Sequence, residues 1–403
     1  MQNTNNTTLR YLFFTFLKIG ATSWGGFMAL ISVIQRKVVE RDNKIENETL
    51  LEGISIASIL PGPIAFNVVT YVGYKLKGIR GALVSMIGIL LPSFLLMLLL
   101  SFLYLKYGNI PLFTHFFAGI LPAVAAIIIA VAITMSKKNI ADISQIIIAI
   151  LSALIITLSK LYISTIGIML LSGLAGYLIY HKVPEGKQKE QVKFQIPKSR
   201  NISYFIPLFI TGCFVLVLFF SSIIPWKFEG LAILHQKIML VFSGMSLSLF
   251  GGGYVVIPAM QKIVVNSMNW LTNKEFADAI AMGQITPGPI FISATFIGYK
   301  VAGFWGALNA TVAIFLPPGL LMIACSGFFE EIRNSTIISA IFKGLRPAII
   351  GMIAAAAFTI MIQNNLSIKT GLLFCVFLFL SIKYKTDPVY LIPSAGIIGL
   401  LIF

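Results

Sequence analysis

A glycine between two prolines occurs twice in this chain, and this motif limits the fold more than any other feature. The first copy is ILPGP at residues 59–63, and the second is ITPGP at residues 285–289. Each copy lies near the middle of an apolar run of roughly 25 residues, long enough to enter a lipid bilayer. Proline lacks a backbone N–H and clashes with the preceding helical turn. Each run is therefore predicted to form two half-helices that meet at a break.

Composition indicates the environment of these broken helices. The chain has 403 residues, of which 58% are hydrophobic and 11% are charged, whereas soluble domains have about 25% charged residues. We therefore predict an all-α polytopic membrane protein with the lipid bilayer as a partner. The net charge of +16 comes largely from Lys and Arg in short loops between apolar runs. This pattern follows the positive-inside rule and does not indicate a nucleic-acid partner.

The two motifs belong to an internal repeat. An offset of 226 residues superimposes Gly25-Gly26 on Gly251-Gly252 and the first Pro-Gly-Pro motif on the second. After a one-residue gap, an offset of 225 aligns a further series of residues. The aligned pairs include Gly73 with Gly298, Lys75 with Lys300, Gly78 with Gly303, Pro92 with Pro317, Gly119 with Gly344 and Pro122 with Pro347. Shared glycine and proline positions indicate shared backbone conformation, so both halves are predicted to have one fold.

The number of membrane crossings sets the relative orientation of the two halves. Counting each apolar run as one crossing gives about 13 transmembrane helices. On that count an odd number of crossings separates the starts of the repeats, so the halves face opposite ways. The predicted fold is two inverted-topology repeats with paired broken helices. If both broken helices are instead re-entrant hairpins, the count falls to about 11, and the charge bias does not distinguish the two arrangements.

The chain is expected to divide into three parts. Residues 1–180 form an N-terminal repeat, and residues 181–203 form a linker. Residues 204–403 form a C-terminal repeat that begins with an extra span at about 204–224. The hydrophilic stretch 181–200 holds six Lys or Arg against two Glu. We therefore expect a multi-pass protein of the cell (cytoplasmic) membrane with a cytoplasmic linker.

The half-helices that begin at Pro63 and Pro289 direct their N-termini at the breaks. A helix start offers free N–H groups and about half a positive charge, which together favour an anion. Asn67 and Ser293 lie in the first turns and are candidate additional donors. The glycine pairs have two open interpretations: they expose backbone amides, or they allow close helix packing.

Several charged residues are candidates for tuning the anion site or coupling it to a second ion. Those near the glycine pairs or at the ends of the broken helices are Arg36, Lys37, Lys262, Lys75 and Lys300. The alternative is that these side chains are interfacial anchors. Glu52 and Asp278 match across the repeat and are candidate proton sites, although Thr49 with Glu52 also fits a capping box, as does Thr272 with Glu275.

Other site classes find little support. The three cysteines and three histidines do not cluster, so neither a metal site nor a disulfide framework is expected, and no cofactor is indicated. The sequence contains no HExxH or GxSxG motif and no paired intramembrane carboxylates, which argues against an enzyme.

Taken together, these motifs resemble the chromate ion transporter family in its long, two-domain form. The resemblance rests on Trp24-Gly25-Gly26, Phe250-Gly251-Gly252, the segment from Trp270 to Phe276 and the two Pro-Gly-Pro sites. It implies export of chromate from the cytoplasm. From the inverted pair of broken helices and the basic, acid-poor sequence, we expect a secondary transporter of the inner membrane that moves chromate or a related tetrahedral oxyanion by alternating access. The positions that the resemblance implies for substrate binding are Gly25, Gly26, Pro61, Gly62, Pro63, Gly251, Gly252, Pro287, Gly288 and Pro289. A transporter of sulfate or another anion, an anion channel and a homodimer remain open alternatives.

Overall fold

The computed structural model of this chain is built from α-helices. It describes residues 7–23, 26–107, 110–159, 163–181, 230–248, 256–326, 336–363, 367–384, 386 and 388–403. All regular structure in these residues is helical, so the predicted all-α fold is confirmed. Some predicted features lie outside the described residues: Gly25, Gly251, Gly252, the linker after residue 181 and the span at 204–224.

The described residues form two series of seven α-helices. The first series is α1 Leu9–Thr22, α2 Gly26–Ile34, α3 Asn47–Ile59, α4 Ile64–Tyr107, α5 Pro111–Asn139, α6 Ile143–Leu158 and α7 Ile163–Tyr180. The second series is α8 Leu231–Ser248, α9 Val256–Gln261, α10 Asn273–Ile285, α11 Ser293–Cys325, α12 Thr336–Gln363, α13 Ile368–Lys383 and α14 Pro388–Ile402. A π-helical segment continues α2 (Gln35–Arg41) and another continues α9 (Lys262–Ser267), and a 3-10 turn (Ile290–Ile292) precedes α11.

The two series repeat the same backbone conformation. Helices α3 and α10 both have 13 residues and begin and end 226 positions apart. Lys77 and Gly78 leave the helical region at φ −143 and φ 61, and their partners Ala302 and Gly303 do so at φ −144 and φ 62. The internal repeat inferred from glycines and prolines is therefore a repeat of structure.

Non-helical residues divide α4 into α4a (64–76) and α4b (79–107), and they divide α11 into α11a (293–301) and α11b (304–325). A Cβ added to Gly73 would lie 2.6 Å from the carbonyl oxygen of Gly81. In a continuous helix these residues would be about 12 Å apart. Each long helix is therefore a tight hairpin, and the glycines at its corner allow the two arms to touch.

The helices on either side of each Pro-Gly-Pro motif also form a hairpin. Glu52 of α3 and Lys75 of α4a form an ion pair at 3.5 Å. In a straight broken helix they would be about 35 Å apart. Lys300 and Glu275 form the corresponding ion pair across the second motif. The count of 13 spans assumed that each broken helix crosses once; the ion pairs instead place both ends of each broken helix together, as in the re-entrant alternative.

Equivalent helices of the two halves run in opposite directions. Gln145, near the start of α6, donates from Nε2 to the carbonyl of Lys343, near the start of α12, at 3.2 Å. Because only three residues separate α5 from α6, the start of α12 lies beside the end of α5. Helices α5 and α12 are repeat partners, so the antiparallel arrangement of the halves does not depend on the number of crossings.

The outer helices present an apolar surface. Large hydrophobic side chains are exposed on α6, α7 and α13, among them Leu158, Leu170 and Ile368. A soluble protein rarely leaves such contiguous surface uncovered. Within the described parts of the chain, four helical stretches are long and apolar enough to cross a bilayer: Ile64–Tyr107, which includes the α4 corner, His115–Lys137, Ile290–Cys325 and Ser339–Met361. The chain is a polytopic membrane protein.

One of the two predicted capping boxes is present. Thr272 and Glu275 cap α10 reciprocally: the Glu275 N–H donates to Thr272 Oγ1 at 3.2 Å, and the Thr272 N–H donates to Glu275 Oε2 at 2.9 Å. The box predicted at Thr49 and Glu52 is wrong. Helix α3 already begins at Asn47, so Glu52 lies inside it and is free to pair with Lys75.

Candidate functional site

The first break is a buried turn that only glycine accommodates easily. Gly62 has φ 97, in the left-handed region, between two prolines that fix extended or helical backbone. Helix α3 ends as the Leu60 N–H donates to the carbonyl of Ile56 at 3.1 Å. Helix α4 begins at Ile64, and Asn67 N–H donates to the carbonyl of Pro63 at 3.0 Å. Because the first N–H groups of a helix lack an acceptor in that helix, they are free for a ligand.

Asn67 lies beside this break and is fully buried. Its Nδ2 donates to the carbonyl of Pro61 at 3.1 Å, which holds the turn closed. Its Oδ1 has no hydrogen-bond partner among the described residues. In this conformation Asn67 offers an acceptor at Oδ1, and the second hydrogen of its Nδ2 can still donate to an anion.

The second break has the same glycine turn, but the residues around it differ from those at the first break. Gly288 has φ 105, and α10 ends as the Thr286 N–H donates to the carbonyl of Met282 at 3.0 Å. A 3-10 turn follows before α11. The Ser293 hydroxyl donates to the carbonyl of Ile290 at 2.7 Å, so it stabilises this turn. It reaches a ligand only if that bond opens.

Phe315 brings the two breaks together. Its ring packs against Phe66, just after the first break, with 5.1 Å between ring centroids. It also packs against Phe291, just after the second break, at 6.3 Å. Phe66 and Phe291 are repeat partners, 225 residues apart. The Phe315 ring of α11b thus packs against the start of the half-helix that follows each break.

The contacts that close the breaks are reciprocal. Gly62 packs against the Pro318 ring of α11b, and Gly288 packs against the Ser93 side chain of α4b. Ser93 also donates its hydroxyl to the carbonyl of Pro287. Since Ser93 and Pro318 are repeat partners, each half closes the break of the other, as expected for a two-fold arrangement. Ser93 thus closes the second break with a hydrogen bond from the other half, whereas Pro318 has no hydroxyl to donate at the first.

Ser23 connects the first glycine pair to the second break. Its carbonyl accepts a hydrogen bond from the Gly288 N–H at 3.3 Å. Its own hydroxyl oxygen is buried and has no hydrogen-bond partner in the described part of the chain. Ser23, which follows the end of α1, therefore reaches the second break. Sequence reasoning missed Ser23, Ser93 and Pro318; the alignment of Ser93 with Pro318, beside the matched prolines 92 and 317, was the available signal.

The predicted basic residues lie away from the breaks. Lys75 and Lys300 pair with acids at the open ends of their hairpins, and Lys75 is about 18 Å along α4a from Pro63. Lys262 is buried and donates to the carbonyl of Ser159. Arg36 is exposed in the π-helical segment after α2. None of these four residues is placed at a Pro-Gly-Pro turn.

Lys37 forms an ion pair with Asp42 at 3.1 Å, and Asp42 also accepts a hydrogen bond from the hydroxyl of Tyr11. Burial would raise the pKa of Asp42, but the hydrogen bonds from Tyr11 and Lys37 outweigh it, so the pKa is below its ordinary value. These contacts join the open ends of α1 and α2. Lys37 thus stabilises a hairpin end.

Asp278 occupies a separate buried position. It lies in the middle of α10 with no exposed surface, and its Oδ2 accepts a hydrogen bond from the Tyr104 hydroxyl at 2.6 Å. It is nine residues before Pro287, or about 14 Å along the helix from the break. The predicted residues therefore form two groups: the breaks, with Asn67 and Ser293, and charges distributed along the hairpins.

The profile of the chromate transporter family matches residues 10–177 and 236–400. The matched ranges cover both helix series, and the gap between them contains the linker. The chain belongs to the chromate transporter family. It is therefore a multi-pass membrane transport protein, as its helices and its apolar surface indicate.

Individual relatives extend over nearly the whole chain. The chromate transport protein of Cupriavidus metallidurans is 30% identical over 403 residues, covering 98% of this chain and 94% of its own length. An uncharacterized transporter of Methanocaldococcus jannaschii is 30% identical, covering 100% of this chain and 96% of its own. An uncharacterized Bacillus subtilis transporter is 29% identical over 38% of this chain and 88% of its own length. That protein has about the size of one repeat. No solved structure matches the chain.

Proposed function

We propose that the protein is a secondary transporter that exports chromate or a related tetrahedral oxyanion across the inner membrane. The full-length similarity to the Cupriavidus chromate transport protein supports chromate as substrate. Sulfate has the same shape and charge and is the expected competitor. We place the linker 181–203 in the cytoplasm because it is rich in Lys and Arg. A homodimer is a further alternative, which a measurement of the oligomeric state would test.

The proposed substrate site lies between the two breaks. The observation that carries this proposal is the meeting of two half-helix N-termini around Phe315 in oppositely directed repeats. Free first-turn amides after Pro63 and Pro289 would bind the anion oxygens. Gly62 and Gly288 allow the turns, and Asn67 and Ser293 supply polar groups. We include Gly25, Gly26, Gly251 and Gly252 in the proposed site because the family resemblance implies them. No carboxylate is needed near the anion.

The reciprocal closing contacts support a mechanism of alternating access. Gly62 with Pro318 and Gly288 with Ser93 each join a break of one half to a helix of the other. Separating one contact while keeping the other opens the site to one side of the membrane. Because the halves run in opposite directions, equivalent movements of the two halves open opposite sides. The α3–α4a hairpin and the α10–α11a hairpin would each move as a unit against α4b and α11b.

Chromate uptake into everted membrane vesicles tests the proposed function. We expect saturable uptake that sulfate inhibits, and we expect Asn67→Leu to reduce it at least about tenfold because the side chain loses both polar atoms. Gly371→Leu is the matched control, since its added side chain meets open space on α13. Both variants are compared at equal amounts of folded protein.

Normal uptake by folded Asn67→Leu would place the substrate elsewhere. A flux that does not saturate and follows voltage alone would indicate an anion channel. Uptake of sulfate without chromate would keep the site and change the substrate.

A further inference from the structure

The second half contains a buried carboxyl group that forms no ion pair among the described residues. Asp278 has no exposed surface, and its Oδ1 lacks a hydrogen-bond partner among the described residues. The Tyr104 hydroxyl donates to the other oxygen at 2.6 Å. A buried carboxylate with one donor is costly unless it takes up a proton or binds a cation. Neither the capping of α10 nor the proposed anion site uses this group.

Comparison with the first half shows why Asp278 lacks an ion-pair partner among the described residues. Its repeat partner Glu52 pairs with Lys75 at 3.5 Å. The partner of Lys75 is Lys300, which pairs with Glu275 at the start of α10. Asp278 is therefore left with tyrosine as its neighbour where Glu52 has lysine.

The charges around Asp278 are few. Its own helix contributes Lys274 and Glu275, and α4 contributes Tyr104. The described parts of α5, α9, α11, α12 and α14 also pack against α10 and contribute no further titratable group that acts on Asp278. The charges of Lys274 and Glu275 act on Asp278 in opposite directions, and neither residue forms an ion pair with it.

A single helix connects Asp278 to the second break. Helix α4b carries Ser93, which bonds to Pro287, and Tyr104, which bonds to Asp278. The two residues are 11 positions apart, or about 16 Å along the helix. Tyr104 is held in place by edge-on contacts with Phe117 at 5.5 Å and Phe296 at 5.3 Å. A movement at Tyr104 or at Ser93 would therefore act on the same packed helix, α4b.

We propose that Asp278 is a proton-binding site and that its proton travels in the same direction as the anion. This inference rests on the proposed function and specifies its coupling ion. An anion at the second break is repelled by a charged Asp278 and accepted beside a neutral one, so anion and proton bind together. One proton leaves water, bonds to Oδ1 while the anion is bound, and is released when the anion leaves. A dianion with one proton carries one net negative charge, so an inside-negative potential still drives export.

The test measures proton and anion movement in the same everted vesicles. Chromate is added at alkaline pH, where it is a dianion, and a pH-sensitive dye reports proton movement in weak buffer. Wild-type protein should move about one proton per chromate. Asp278→Asn keeps the size of the side chain and mimics its neutral form. We expect chromate exchange within about twofold of wild type and proton movement per chromate reduced at least about fivefold.

Two further variants define the interpretation. Glu52→Gln removes the matched acid of the first half and should leave proton movement per chromate within about twofold of wild type. Asp278→Glu restores a carboxyl group and should restore proton movement. Unchanged proton movement in Asp278→Asn overturns the proposal. Loss of exchange in folded Asp278→Asn and Asp278→Glu also overturns it, because Asp278 would then serve packing.

The two proposals fail in different ways. If the wild-type protein moves no oxyanion, the proposed function fails. If it moves chromate without protons, only the role of Asp278 fails.

Discussion

At the scale of single residues, the two central glycines of the breaks have the strictest requirement. Gly62 and Gly288 combine a left-handed φ with direct contact to a helix of the other half. A Cβ at either position would be strained by the left-handed φ and would press on the neighbouring helix. The two glycines have similar backbone angles, φ 97 and φ 105, because each lies between two prolines.

Gly62→Ala and Gly288→Ala should each lower the free energy of unfolding by about 2–4 kcal/mol, through left-handed strain and overpacking. Gly371→Ala is the control: no atom lies near the added methyl group, and helix propensity should raise stability by about 0.5–1 kcal/mol. Thermal unfolding in detergent measures all three. A break variant as stable as the control would contradict the left-handed turn.

Asp42 gives a prediction about pH. Its pKa lies below the ordinary 3.8, so its charge contributes stability above that pH, and the contribution is lost as pH falls through the lower folded value. Asp42→Asn should lower the free energy of unfolding by about 1–2 kcal/mol at neutral pH. The difference should shrink in acid. Melting curves at several pH values test this, with exposed Glu40→Gln as control; a difference that grows in acid would refute the pairing with Tyr11 and Lys37.

At the scale of elements, the sequence predicted the two paired breaks, with re-entrant hairpins as the alternative to single crossings. The 226-residue offset aligned the two Pro-Gly-Pro motifs, and α3 and α10 begin and end at that same offset, because glycines and prolines determine backbone conformation locally. Whether a broken helix crosses or returns was left open, since both arrangements have the same hydropathy. That choice depends on tertiary pairs such as Glu52 with Lys75, which are not visible in the sequence.

The hairpin predicts which residues share a side of the membrane. In a protein without its native cysteines, Asn47→Cys and Lys77→Cys should react with an impermeant thiol reagent from one side, because α3 and α4a return to it. Tyr107→Cys, at the far end of α4b, should react from the other side. Reaction of positions 47 and 77 from opposite sides would show that the broken helix spans the bilayer.

At the scale of the whole molecule, inversion of the halves brings the two breaks of the proposed site together. The sequence predicted two inverted repeats, and the direction of α12 against α5 agrees with it. The closing contacts could not be predicted, because Ser93 and Pro287 are 194 residues apart and meet only in the folded chain. Ser23 was missed for the same reason. The predicted basic residues were natural candidates for an anion site. Lys37, Lys75 and Lys300 instead form ion pairs at the ends of hairpins.

The whole arrangement assigns distinct tasks to the two halves. The first break has a buried amide with an unpaired oxygen at Asn67, and the second has a hydroxyl bond from Ser93. The first half neutralises its helix acid with lysine, and the second half leaves Asp278 with tyrosine. A duplicated fold has thus become chemically asymmetric, which suits a transporter that must distinguish one direction from the other.

Locating a bound oxyanion tests the central claim most directly. Crystals grown with chromate and measured at the chromium absorption edge would show the ion by its anomalous signal. We expect one peak between the Gly62 and Gly288 turns, within hydrogen-bond distance of first-turn amides, and its loss when excess sulfate competes. A peak confined to the basic hairpin ends at Lys37, Lys75 or Lys300, with none between the breaks, would contradict the account.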